Sequence, residues 1–142
     1  MKVFTYSAAI NTRQVTSESQ IVDGPSPYHV PGSNVPIYNY THGTYGTLPL
    51  REAWDNSLNI PAVKTELAIG IPTVVQFMRT VGLNPLDING DINGPLANYG
   101  AALTLGGFPV KILEEAHGIA TIANLGVYHD VESILTVKDA HG

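Results

Sequence analysis

The chain has 142 residues, 7 Lys+Arg against 12 Asp+Glu for a formal net charge of −5, five His and no Cys. That length suits one domain with a modest core. The acidic balance, without Lys/Arg clusters, excludes nucleic acid as a partner, because phosphates demand a concentrated positive face. The lack of Cys excludes disulfides, thiolate metal sites and cysteine nucleophiles. With 13% charged and 44% apolar residues the chain is too hydrophobic to be disordered. No apolar run approaches the roughly 18 residues of a membrane span and the N-terminus has no signal-peptide core, so a soluble acidic globular chain is expected.

Met1–Asn11 reads as a helix whose apolar face holds Val3, Phe4, Tyr6, Ala9 and Ile10. From residue 12 to 49 the helical signal vanishes. Asp23-Gly-Pro-Ser-Pro27, Val30-Pro-Gly-Ser-Asn34 and the Tyr/Gly-rich run 38–46 predict turns and extended loop. A loop of that length implies function or packing onto something else. Helices are expected at Leu50–Asn56, at Pro61–Ile69 with Ile60, Val63 and Leu67 on one stripe, and from Pro72 to Val81 with Gly82 as the stop. Val74, Val75, Phe77, Met78 and Val81 are the expected buried face of the last of these. Pro109–Leu125 predicts a longer helix with Leu113, Ala116, Ala120 and Ala123 inward and Gly126 as its cap. Ser133–Lys138 alternates as a strand, and Asp139-Ala-His-Gly142 is hairpin-turn chemistry. Both ends look cut: the first helix has no preceding turn, and a lone last strand needs a neighbour.

Asp87-Ile-Asn-Gly-Asp-Ile-Asn-Gly94 alternates Asp and Asn oxygens, but an EF-hand needs Gly sixth and Glu twelfth, where Ile92 and Asn98 stand. Tandem Asx–Gly turns explain it without calcium. His29, His42, His117, His129 and His141 show no zinc spacing, and His117 is expected to be a packed or half-exposed side chain. Gly106-Gly107 lacks the following Lys-Ser/Thr of a phosphate loop and reads as a turn for close helix packing. Ser57-Leu58-Asn59, on a loop between two helices, is the segment best placed for chemistry.

Thr47-Leu-Pro-Leu-Arg-Glu-Ala-Trp-Asp-Asn-Ser-Leu-Asn-Ile-Pro-Ala-Val-Lys64 resembles the helical region of penicillin-binding transpeptidases, most of all the bifunctional class that also carries a glycosyltransferase domain. That family's Leu-Arg-Glu-Ala helix leads into Ser-x-Asn, an apolar residue, Pro, Ala and Val. Leu103–Ala116 followed by Ala123-Asn-Leu-Gly-Val-Tyr128 is similar to its Gly-Gly turn and the helix ending in Ala-Asn-x-Gly. Lys2-Val-Phe-Thr-Tyr-Ser-Ala-Ala-Ile10 resembles the segment directly after the family's catalytic Ser-x-x, and Asn39-Tyr40 fits the loop before the Leu-Arg-Glu-Ala helix. The matches run from residue 2 to about 138 in family order.

The resemblance implies the helical half of the α+β serine transpeptidase/β-lactamase-like fold, mainly α, with long loops and a terminal β-strand. Residues 1–142 would be a partial transpeptidase domain: a helix at 1–11, an extended loop region at 12–49, a helical subdomain at 50–128 and the start of a sheet hairpin at 133–142. Such enzymes combine Ser-x-x-Lys, Ser-x-Asn and Lys-Thr/Ser-Gly. By resemblance Lys2 is the motif lysine, Ser57 relays a proton to the leaving amine, and Asn59 holds the substrate's amide carbonyl. The nucleophile belongs three residues before Lys2, and no Lys-Thr/Ser-Gly occurs; Lys64-Thr65-Glu66 has the wrong third residue. The chain alone is therefore expected to be a non-catalytic part of a D,D-transpeptidase, with a binding or scaffold module on the same helical fold as the alternative. The implied chemistry needs neither cofactor nor metal. Peptidoglycan stem peptides and β-lactams are the implied partners of the whole enzyme, at the outer face of the bacterial membrane. Apolar surface left for a missing sheet, and the unpaired strand, would promote self-association.

Overall fold

The computed structural model describes residues 1–139. Helix α1, Lys2–Asn11, is the centre of the molecule, with Phe4, Thr5, Tyr6, Ala8 and Ala9 all buried. A helix apolar on nearly every side belongs inside a core rather than on its surface. Helices α3, Asn59–Ile69, and α4, Ile71–Thr80, pack against it. Ala8 and Ala9 let these neighbours approach closely. Phe4 and Ala8 join Val74, Val75, Met78, Val81, Leu83, Tyr99 and Leu103 in the main core. On the other side Tyr6 meets Leu50 and Ala62, stacking on Trp54 at 5.4 Å between ring centroids.

Gly70 ends α3 and begins α4 with φ of 88°, a conformation glycine adopts without a Cβ clash, so one residue reverses direction between two helices. Met78 and both valines of α4 are buried as expected, while Phe77 is half-buried at the rim. Helix α3 starts at Asn59, two residues earlier than Pro61, because Pro is tolerated in a first turn.

Residues 12–49 are more ordered than a structureless loop. Strand β1, Gln20–Asp23, pairs antiparallel with β4, Gly46–Pro49, with Asp23 opposite Gly46. Between them, β2, Tyr28–His29, pairs with β3, Pro36–Ile37. Such short strands leave almost no period-2 signal, which hid them from the sequence. Strand β4 runs directly into α2, Leu50–Asp55. Lys64 of α3 latches the β1 end, donating to the carbonyls of Val22, at 2.9 Å, and Gly24, with its ammonium 5.1 Å from the Tyr28 ring centroid.

Two expectations are corrected. The last helix, α5, spans Ile112–Ala123, and Leu113, Ala116, Ala120 and Ala123 all face solvent rather than the core. Its inward strip is Gly118 and Thr121. Gly118 sits so close to Phe4 that a Cβ there would lie 2.9 Å from the ring. Outside this strip α5 has no covering layer, so its apolar residues outnumber the places to bury them. Ser133–Lys138 is exposed and forms no strand, because among the described residues no other strand lies beside it to supply a ladder. The hairpin turn expected at 139–142 falls almost wholly outside the described residues. Residues 87–94 are Asx turns: Asp87 Oδ1 accepts from the amides of Asn89 and Asp91, and Asp91 Oδ1 from that of Asn93. His117 is half-buried against Tyr128, 4.6 Å between ring centroids.

Candidate active site

Helix α2 ends at Asp55, and the chain turns through Asn56 and Ser57 before α3 begins. Ser57 has φ of 51°, the left-handed residue of a Schellman turn that closes α2: its N–H donates to the Trp54 carbonyl at 2.8 Å and that of Leu58 to the Ala53 carbonyl at 3.0 Å. Leu58, 4% exposed, pins the turn to Leu48 and Ala53. Ser57 itself stays exposed.

Across from it, Lys2 at the start of α1 donates from Nζ to the Ser57 carbonyl oxygen at 2.7 Å and to Ser57 Oγ at 3.0 Å. These residues are 55 apart in sequence, and the packing of α1 between α2 and α3 brings them together. Partial burial holds the Lys2 ammonium below the ordinary lysine value, because a charged group loses hydration there. Lys2 and Ser57 line one cleft of about 390 Å³ with Val3, Trp54, Thr104 and Leu105. Trp54 is the chain's one tryptophan, so its fluorescence reports on this cleft.

Asn59 is not on the cleft lining. Its Nδ2 donates to the Tyr38 carbonyl at 2.7 Å, and it does not cap α3 with its own side chain. Three residues that sequence reasoning did not assign complete the surroundings. Thr104 closes the floor and donates to Thr5 Oγ1 of α1 at 2.7 Å. Behind it Glu66 of α3 is fully buried, and neither carboxyl oxygen has a hydrogen-bond partner. Burial pushes its pKa up to about 8, and the nearby Thr104 backbone amide, which falls outside hydrogen-bond geometry, pulls the other way. Glu66 lies three residues after Val63, on the apolar stripe of α3; that placement was the available signal. Asp23 is buried beside Asn39, 16 residues away, a contact no local pattern reveals.

A larger apolar groove of about 720 Å³ adjoins the cleft through Leu105, walled by Pro31, Val35, Tyr38, Leu67, Ile71 and Phe108. Its lining carries no lysine or carboxylate, whereas Lys2 lines the smaller cleft.

A buried central helix packed by two further helices, with few short strands, is the arrangement of the helical half of an α+β transpeptidase fold. The family model for the penicillin-binding protein transpeptidase domain matches residues 1–141, and the chain belongs to that family. It is similar to penicillin-binding protein 1A of Streptococcus pneumoniae, 34% identical over 85 residues covering 59% of this chain and 12% of that protein. Penicillin-binding protein 1A of Clostridium botulinum is 30% identical over 147 residues, covering 96% of this chain and 16% of that protein. Among solved structures, the PonA1 protein of Mycobacterium tuberculosis in complex with penicillin V superposes with a TM-score of 0.77 at 26% identity, over 90% of this chain and 34% of that one. The chain thus spans under a fifth of these curated relatives and about a third of that structure. Among the described residues no helix is long and apolar enough to cross a membrane.

Proposed function

We propose that these 142 residues are a partial transpeptidase domain that supplies the helical wall of a D,D-transpeptidase active site. The observation that carries this reading is the Lys2 ammonium bonded to Ser57 Oγ at 3.0 Å. In the complete site a serine three residues before Lys2 lies one helical turn away, on the same face. Its Oγ attacks the carbonyl carbon of the D-Ala–D-Ala amide, Lys2 in its neutral form takes the proton, and the C–N bond breaks. Ser57 passes a proton to the departing amine. The acyl-serine left behind is then attacked by the amine of a second stem peptide, which forms the cross-link. Asn59 holds the substrate's amide carbonyl through the N–H of its side chain not given to Tyr38. A Lys-Thr/Ser-Gly strand from outside these residues binds the substrate carboxylate. A lowered lysine pKa supports this assignment, because it increases the neutral fraction that can act as base. Stem peptides and β-lactams are the partners of the whole enzyme, which works at the outer face of the cell membrane.

The position three residues before Lys2 lies outside these 142 residues. Incubated with a fluorescent penicillin, the chain is expected to show no covalent adduct in its intact mass; a stoichiometric adduct would overturn this reading of the motifs. Ile112, Leu113, Leu125 and Leu135 are 87%, 62%, 95% and 86% exposed, apolar surface that a covering sheet would bury. Concentration-dependent self-association in sedimentation velocity is the expected consequence. A strict monomer at high concentration would contradict it.

A further inference from the structure

Two consecutive residues hold Asn59 at both its ends. The Tyr38 carbonyl accepts from the Asn59 side chain at 2.7 Å. Asn39 Oδ1 accepts from the backbone N–H groups of Asn59, at 2.9 Å, and Ile60, at 3.2 Å. These amides open α3, where the first N–H groups have no partner inside the helix. The residue flanking α3 is Leu58, which has no acceptor to offer, so the cap comes from 20 residues away.

Asn39 is itself only 1% exposed, and its orientation is dictated by its other partners. Its Nδ2 hydrogens are shared among both oxygens of the Asp23 carboxylate, at 2.8 and 2.9 Å, and the Gly43 carbonyl at 3.0 Å. An ionised carboxylate only accepts, so the amide nitrogen must face Asp23 and the amide oxygen must face α3. Asp23 is equally buried at the end of β1, and accepts the Tyr45 N–H at 2.8 Å. The anchor is therefore tied to the β1–β4 pair, and β4 leads directly through α2 to Ser57.

We infer that Asn39, oriented by Asp23, is a positioning residue that sets where the Ser57–Asn59 turn stands against Lys2. The region 12–49 thereby acts as the clamp of the turn rather than as a spacer. The catalytic meaning of this role rests on the proposed function, but the contact itself is testable without substrate.

The test is an NMR study of the 142-residue chain. In the wild type, a scalar coupling across the hydrogen bond from the Asn59 amide nitrogen to Asn39 Cγ is expected, and its absence overturns the proposal without any variant. In Asn39→Ala the Asn59 and Ile60 amides should exchange with solvent at least ~10-fold faster. The Lys2 Nζ titration midpoint should also shift as Ser57 opens away, because both the hydration of the ammonium and its two Ser57 acceptors change. A residue with only a general structural role lowers stability and leaves the Lys2 midpoint where it was. Should Asn39→Ala fail to fold, Asp23→Asn makes the same test, because a neutral amide no longer forces the Asn39 orientation. Unchanged exchange and midpoint in either folded variant overturn the inference. A positive result alongside an inactive complete enzyme would sink the proposed function and leave the clamp standing.

Discussion

Glu66→Gln is expected to remove a large loss of stability that the wild type suffers as pH rises from about 4.5 to about 8. The folded chain keeps the Glu66 carboxyl neutral because no partner compensates a buried charge. The unfolded chain ionises it near 4.5. The folded pKa is therefore the raised one. Through the window from about 4.5 to about 8 the unfolded state binds fewer protons than the folded state, so stability falls with rising pH. It is fully present below the lower value and no longer changes above the upper one. Burial is the largest cause of the shift. A shift of this size corresponds to roughly 3–5 kcal/mol by linkage. Urea unfolding followed by Trp54 fluorescence at a series of pH values measures it. Wild type and variant should match near pH 4, and the variant should be clearly more stable at pH 8. Parallel curves across the window would mean that Glu66 ionises freely in the folded chain.

Phe4→Ala should be the most damaging single truncation, lowering stability by about 3–5 kcal/mol. Phe4 is 0% exposed and joins α1 to the Val74, Val75 and Met78 face of α4. The same ring is the surface on which Gly118 seats α5. Removing it opens a cavity in the main core and takes away the bearing of a helix with little other purchase. A domain of this size has only about 5–15 kcal/mol in total. Hydrogen exchange should show α5 opening first, ahead of α3 and α4. A loss under about 1 kcal/mol, with α5 protection unchanged, would contradict the central place of Phe4 in the core.

The helical core was legible because its signals are local. Pro72 and Gly82 mark ends, and the 3.6-residue spacing of Val74, Val75 and Met78 marks a buried face. The burial of α5 was not legible, since periodicity shows which side of a helix is apolar but not whether anything covers it. Ser133–Lys138 illustrates the same limit for strands: alternation supplies a candidate, and only a neighbour makes it a ladder. The meeting of Lys2 with Ser57 and the grip of Asn39 on Asn59 span 55 and 20 residues. Family resemblance supplied the first pairing. For the second, Asn39 was visible only as part of a matching loop, its partners hidden in tertiary structure.

The proposed function depends most on Lys2, Ser57 and Asn59 being one side of a serine acyl-transfer site. Reading the source DNA on either side of these codons tests that most directly. An in-frame serine codon three before Lys2, with a Lys-Thr-Gly or Lys-Ser-Gly sequence downstream of residue 142, is the expected result. In-frame stops at both edges, or a residue other than serine at that position, would contradict it, and the cleft between Lys2 and Ser57 would then be a binding surface without a nucleophile.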